Sequence, residues 1–416
     1  MAIQNNFPNL TPTLLLDFAN AGKLDPRVTF SRATTATYFN SLGVLTTANN
    51  NVARFDYDPS TLAAQGLLIE EQRTNSFLQN FDISNASWVK VRATTPGTTT
   101  TSPSGGTAQK LVEDTTPANS HFFRQDISVT SGATYTQSVY VKAAERNEIQ
   151  LAFDVDAGAF TNSAVIFTLS GGGSGVIVAG SPAYSITLVG NGWYRCTISQ
   201  SAAATATAVF RISLASGGTA FYTGDGTSGL FFWGAQLEQG AFATSVIPTT
   251  TTALTRNADV ANMTGTNFSS WYNAAEGTLF SESINLPGQS AVVFPRIANI
   301  NDGTTNNVIT TIWRSDTSRL YGVVTTSGSG VADVGANGVT QTNANKIALG
   351  YATNNFAASV NGGAVNTDTS GAVPTGLTTL GIGRQASAAD FINGYIRRIA
   401  YYPVRATNAQ LQALTG

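Results

Sequence analysis

The sequence predicts an all-β protein: an irregular amino-terminal docking region, a jelly-roll β-sandwich, then a concanavalin-A-like β-sandwich closed by a short carboxyl-terminal helix. Strand-length runs of alternating apolar and polar residues recur along the 416 residues, punctuated by Gly, Asn, Ser and Pro. Only the last ten residues read convincingly as helix. Charged residues make up 11% of the chain, where an ordinary soluble protein carries roughly a quarter, so neutral polar side chains must supply most of the solvation.

The first 75 residues hold short apolar pieces (LLLDFA, VTFSR, ARFDY, GLLIEE) broken by Asn, Pro, Gly and Thr. They are too irregular for a core of their own and are expected to pack on something larger, either the next module or neighbouring subunits. Within them, RFDYDPSTLAAQGLLIEEQRTNSFL at residues 54–78 gathers Arg54, Asp56, Asp58, Glu70, Glu71 and Arg73. Such a concentration predicts paired ions that cross-link the turns of the segment, or a polar surface that mates with a partner. A solvated loop is the plain alternative, and Leu67, Leu68 and Ile69 stand against it because they need burial directly before the acidic pair.

Residues 76–248 read as the jelly roll. In EIQLAFDVD, Ile149, Leu151, Phe153 and Val155 alternate with polar neighbours, and AVFRISLA repeats the pattern with Phe210, Ile212 and Leu214. TYTQSVYVKA, GWYRCTIS and GLFFWGAQLE add further strands. A Thr-rich connector follows, IPTTTTALTRNADV, which puts an exposed linker at residues 249–265. The remaining block, 266–416, contains strands such as GTLFSESINL, NVITTIWRS and NGYIRRIAYYPVR. Its SVNGG predicts a tight hairpin, and Thr407 with Gln410 forms a capping box for a final helix whose Leu411 and Leu414 face inward.

Net charge and metal-ligand content narrow the function. A net charge of −2 and a pI near 5.5 offer no basic field for nucleic acid or for an anionic membrane surface. No apolar run approaches the ~20 residues that span a bilayer, and the LLL of residues 14–16 precedes the first basic residue, Lys23, so neither export signal nor anchor is expected. The single Cys196, in YRCTI, allows no intramolecular disulfide and no thiolate metal cluster, and reads as a buried inert thiol. No cofactor and no metal are predicted.

The case for an enzyme is thin. The lone His121 rules out mechanisms that need two histidines, and no Gly-X-Ser-X-Gly elbow sits between a strand and a helix. Asp154 and Asp156 project from one strand face roughly 7 Å apart at Cα, which would suit a carboxylate pair or a weak Ca²⁺ site, yet the alternation around them already accounts for both as solvent-facing. Asp225, in GDG, reads as a turn residue. For sugar stacking the candidates are Trp88, Tyr184, Trp271, Tyr272 and Trp313, each with core packing as its plain alternative. Trp193 and Trp233 sit in strong strand patterns and read as core.

The strings TFSRATTATYFNSLGVLTTANNNVARFDYDP and GLLIEEQRTNSFLQN resemble, over residues 28–80, the amino-terminal region of bacteriophage and prophage virion proteins of the head spike or head fibre type. WVKVRATT, TYTQSVYVKAAERNEIQLAF, GNGWYRCTIS and FFWGAQLEQGAFATSVIPTT resemble the carbohydrate-binding-module type of jelly roll that comes next in such proteins. KIALGYATNNFAASVNGG and INGYIRRIAYYPVRATNAQLQALT resemble a laminin-G or concanavalin-A-like sandwich. There Arg397 and Arg398 stand where relatives more usually carry acidic residues, so Ca²⁺-assisted sugar binding is not implied.

The resemblance implies a noncatalytic structural protein of the virion surface, assembled in the bacterial cytoplasm. It would dock on capsid or tail proteins through residues 1–75, assemble as a homo-oligomer, most simply a trimer, and display its sandwiches for adhesion to host-surface glycans. A purely architectural capsid decoration protein and an envelope polysaccharide depolymerase are the rival readings.

Overall fold

A computed structural model describes residues 10–153, 158–286, 294–387 and 390–416. Roughly half of the chain is strand and about 4% is helix, in antiparallel sheets stacked as sandwiches.

The middle sandwich is built as its alternation dictates. One sheet orders the strands Thr99–Thr101, Thr107–Glu113, Gly229–Gln239, Thr134–Ala143, Trp193–Ser201 and Ala183–Gly190, and the facing sheet centres on Glu148–Phe153, Ala206–Ala215 and Phe122–Val129. Ile149, Leu151, Phe153, Phe210, Ile212 and Leu214 all point into the space between them, where burial of apolar surface is worth about 25 cal/mol per Å². Cys196 lies in the same core, free and fully buried. Burial pushes its thiol well above the ordinary range.

The second sandwich packs an eight-stranded sheet on a seven-stranded one. Here the structure departs from the expected division of the chain, because the amino-terminal segment is woven into this sandwich. Leu14–Asp17 pairs with one edge of the strand Gly394–Tyr402, Leu14 opposite Tyr401. Ala64–Ile69 pairs with the same strand, Leu67 opposite Ile396, and Arg54–Tyr57 pairs with Ala64–Ile69 in turn. Thr29–Ser31 joins the other sheet through Val260–Thr264. Leu14, Leu16, Phe18, Leu67 and Ile69 thereby enter a core shared with Trp313, Ile396 and Ile399. The segment lacks an interior of its own because its interior is at the far end of the chain.

The motif's glycine has a specific task in that pairing. Gly66 sits at φ +115°, and a Cβ there would lie 2.4 Å from the carbonyl oxygen of Ile396, so the close approach of the two strands requires Gly.

Two further expectations shift. The Thr-rich connector is not wholly a linker: Leu254–Arg256 pairs with Arg73–Asn75, and Val260–Thr264 is a strand of the second sandwich. Asn361 and Gly362 do take positive φ, but the strands they join pair only from Ala358 opposite Asn366, so the hairpin is wide. The final helix, Asn408–Thr415, carries the capping box of Thr407 and Gln410. Leu411 is buried beneath it and Leu414 packs at the margin of the same cluster.

Candidate functional site: a cleft between the sandwiches

The charge-rich motif folds inward. Arg54, on one strand, and Glu70, just past the end of its neighbour Ala64–Ile69, pair at 2.7 Å, Arg54 reaches Asp259 at 2.5 Å, and Arg32 holds the other oxygen of Asp259 at 2.9 Å. All four side chains are essentially without solvent exposure. Asp259 also accepts from the backbone N–H of Glu70, and Glu70 accepts from the N–H and the hydroxyl of Ser245. Burial alone would raise the pKa of Glu70, but the guanidiniums of Arg256 and Arg54, with Ser245, hold it down to about 2. Arg54 is likewise opposed by burial and is raised by Asp259 and Glu70.

The other charges of the motif have their own partners. Asp58 caps a turn by accepting from the N–H groups of Ser60 and Thr61. Glu71 accepts from Asn393 and pairs with Arg73. Arg73 also donates to the carbonyl of Gln239, and its guanidinium carbon lies 4.7 Å from the ring centre of Phe242. Asp56 accepts from the N–H of Phe39 at 2.6 Å and from the hydroxyl of Tyr395 at 3.0 Å. Burial pushes Asp56 up to about 7 against those hydrogen bonds. Arg54, Asp56 and Glu70 thus form an interior that fastens the amino-terminal segment to the connector and the second sandwich, while Asp58 and Glu71 stay partly exposed.

Beside this ionic interior lies a cleft of about 420 Å³, within the range of small-ligand sites. Its floor is the outer face of the first sheet of the middle sandwich. Three cross-strand rows run over that face: Thr187, Arg195 and Tyr140; Ser185, Thr197 and Ser138; Ala183, Ser199 and Thr136. The opposing wall is drawn from Phe39, Leu68, Asp56, Tyr395 and the loop around Phe242. The floor carries the hydroxyls of Ser185, Thr187, Thr197 and Ser199 because strand alternation turns them to this face, while Thr136, Ser138 and Tyr140 on the same face are buried. The sequence showed these segments as strands but did not mark their outer face as a site. It held no sign that the amino-terminal segment, the Phe242 loop and Tyr395 would close over it.

The predicted sugar-stacking residues are mostly spent on packing. Trp88 is 1% exposed between Phe77 and Phe123, with its indole N–H on the carbonyl of Gln79. Trp313 is fully buried and donates to Ser283. Trp271 is buried against Phe268 and Tyr401, and Tyr272 is half-buried between the same two rings. None of these four lines the cleft. Tyr184 is 42% exposed, and its residue borders the cleft, but strand alternation turns its ring to the other side, 6.0 Å from Phe167, with its hydroxyl on the carbonyl of Gly175. Trp193 and Trp233 sit, as expected, in a small buried cluster.

The weak metal and catalytic pair, Asp154 and Asp156, lies outside the described residues. Among the described residues no group of three or more His, Cys, Asp or Glu could hold a metal ion, and no helix is long and apolar enough to cross a membrane. His121 is buried, with Nδ1 hydrogen-bonded to the carbonyl of Arg92 at 2.8 Å. Asp225 organises a turn, accepting from the N–H groups of Thr227 and Ser228. Arg397 and Arg398 face Glu282 and Asp17.

No family model matches the chain, and no curated protein matches it. Among solved structures it is similar to domains LG4-5 of the mouse laminin alpha1 chain, at 10% identity and a TM-score of 0.21, covering 68% of this chain and 86% of that one. It is also similar to the N-terminal CBM22-1-CBM22-2 tandem domain of Paenibacillus barcinonensis Xyn10C, at 9% identity and a TM-score of 0.23, covering 79% and 96%.

Proposed function

We propose that this chain is a noncatalytic glycan-binding structural protein that holds its ligand in the cleft between the two sandwiches, and that it belongs to the surface of a bacteriophage particle. The observation that carries the binding reading is the cleft itself, with a hydroxyl-lined floor facing aromatic and apolar side chains. Sugar hydroxyls find partners on such a floor, and the C–H faces of a pyranose find ring surface. The virion part of the reading rests on the resemblance over residues 28–80.

The cleft does not favour hydrolysis. A glycosidase needs two carboxylates free to act on opposite sides of one bond. Glu70 has both oxygens occupied by Ser245 and is paired with Arg54, Asp56 is tied to Phe39, Tyr57 and Tyr395, and Asp58 is occupied by its own turn. Trimeric assembly would multiply weak sugar contacts into useful adhesion; sedimentation velocity measures that assembly.

The test is a glycan array probed with the purified chain, then substitution in the cleft. Retention of defined glycans, weakened tenfold or more by Ser185→Phe, which fills the cleft from a half-buried lining position, is the expected result. A blank array overturns glycan binding and leaves an architectural role. Absence of the chain from purified particles of the phage that encodes it would overturn the virion assignment.

A further inference from the structure

We infer that the glycan taken by the cleft bears a carboxylate, as uronic and sialic acids do, and that Arg195 is its anchor; the inference rests on the glycan reading above. Arg195 occupies the centre of one cross-strand row, with Thr187 on one side and Tyr140 on the other. Among the described residues that line the cleft it is the only Arg or Lys.

Its guanidinium is held in place by contacts that leave its charge unanswered. Nη2 donates to the hydroxyl of Ser138 at 3.0 Å, and the guanidinium carbon lies 5.3 Å from the ring centre of Tyr140. Among the described residues no carboxylate is ion-paired with it, and it lines the cleft. A planar guanidinium braced on an aromatic ring, its Nη2 on Ser138, presents its Nη edge to the cleft, a geometry that suits the two oxygens of a carboxylate.

The acidic groups that share the cleft are unable to fill that role from where they sit. Asp56 is tied to Phe39, Tyr57 and Tyr395, and Asp58 to Ser60 and Thr61. Glu70 is committed to Arg54 and Ser245. Burial raises Asp56 to about 7, so near neutrality it repels an incoming anion less than an ordinary aspartate would. Around Arg195, the hydroxyls of Thr187, Ser185 and Thr197 are placed to meet the hydroxyls of the same sugar.

The experiment uses the full chain on an array of carboxylated, sulfated and matched neutral glycans, including oligogalacturonate and its carboxyl-reduced galactose counterpart. It is read for the wild type, Arg195→Lys and Arg195→Gln. The wild type should bind carboxylated glycans at least tenfold tighter than their neutral counterparts, with a preference that shrinks as salt rises. Arg195→Gln should abolish that preference and Arg195→Lys should keep part of it. Equal retention of neutral and acidic glycans, or a preference that survives in Arg195→Gln, overturns the assignment while sparing the glycan reading. Retention of sulfated glycans alone overturns the carboxylate. A chain that retains nothing overturns the glycan reading itself, and this inference with it.

Discussion

Arg54 and Asp259 stand 205 residues apart in the chain and meet at 2.5 Å, with neither side chain exposed to solvent. One belongs to the conspicuous charge-rich motif and the other to what reads as a plain linker. Their pairing shows how the amino-terminal segment is held: ionic groups on its strands close against the connector and bring the second sandwich's edge with them.

Asp259→Ala should therefore be among the most damaging single substitutions in the molecule. It removes the acceptor of Arg54, of Arg32 and of the Glu70 N–H together, leaving two buried guanidiniums short of a counter-charge. Removing one partner of a buried pair costs about 3–5 kcal/mol, measurable as a lowered denaturant midpoint. Asp316→Ala, which breaks the surface pair with Arg314, should leave that midpoint unchanged.

The residues proposed for sugar stacking give a second contrast. Trp313 is fully buried and Tyr184 is 42% exposed at the margin of the middle sandwich. Trp313→Ala should cost about 3–5 kcal/mol through the cavity it opens, and Tyr184→Ala less than about 1 kcal/mol. Equal losses in chemical denaturation would contradict the assignment of Trp313 to the core.

Much of the architecture was legible in the sequence, and the illegible part has a common cause. Alternation placed Ile149, Leu151, Phe210 and Ile212 inside because each strand's face is decided locally. The capping box at Thr407 and Gln410 spans three residues and is equally local. Leu67 and Ile69 announced burial but not the surface that would bury them, since their neighbours Ile396 and Ile399 lie more than three hundred residues on. The pairing of Arg54 with Glu70 lies within the motif and was legible, whereas their partners Asp259 and Ser245 were hidden for the same reason. Trp88, Trp271 and Trp313 were ambiguous because an indole suits a core and a sugar site equally well, and only the packing of neighbouring strands decides. The cleft escaped notice because its floor and roof come from separate segments, and Arg195 looked like any polar residue on a strand.

Asp56 predicts a pH dependence with a definite sign. Its carboxyl is raised from an ordinary 3.8 to about 7 by burial, so between those values the folded chain holds a proton that the unfolded chain releases. Stability from this group is fullest below about pH 4 and is lost progressively as pH rises toward 7. Asp56→Asn, which cannot ionise, removes that dependence. The wild type should lose stability relative to the variant by an amount on the order of 2 kcal/mol across the interval, measured by urea denaturation at pH 4, 5.5 and 7. Glu70 runs the other way: its contribution is present above about 4.5 and falls away as pH drops toward 2. A difference that grows in the wild type's favour from pH 4 to 7 would contradict the buried state of Asp56.

Deletion of residues 1–75 separates a detachable docking arm from an integral part of the fold. An arm can be removed without harm to the remaining domains. Here the deletion strips Leu14, Leu16, Phe18, Leu67 and Ile69 from the core of the second sandwich and leaves one edge of Gly394–Tyr402 without the strands that pair there. Exposed ladder groups and a depleted core both favour local unfolding and aggregation. Limited proteolysis of the truncated chain, with fragments identified by mass spectrometry, should show cleavage spread through residues 266–416 and a surviving fragment within 76–248. A truncated chain whose last 150 or so residues resist protease as well as they do in the full-length protein would mean that the amino-terminal strands lie on that sandwich without holding it together.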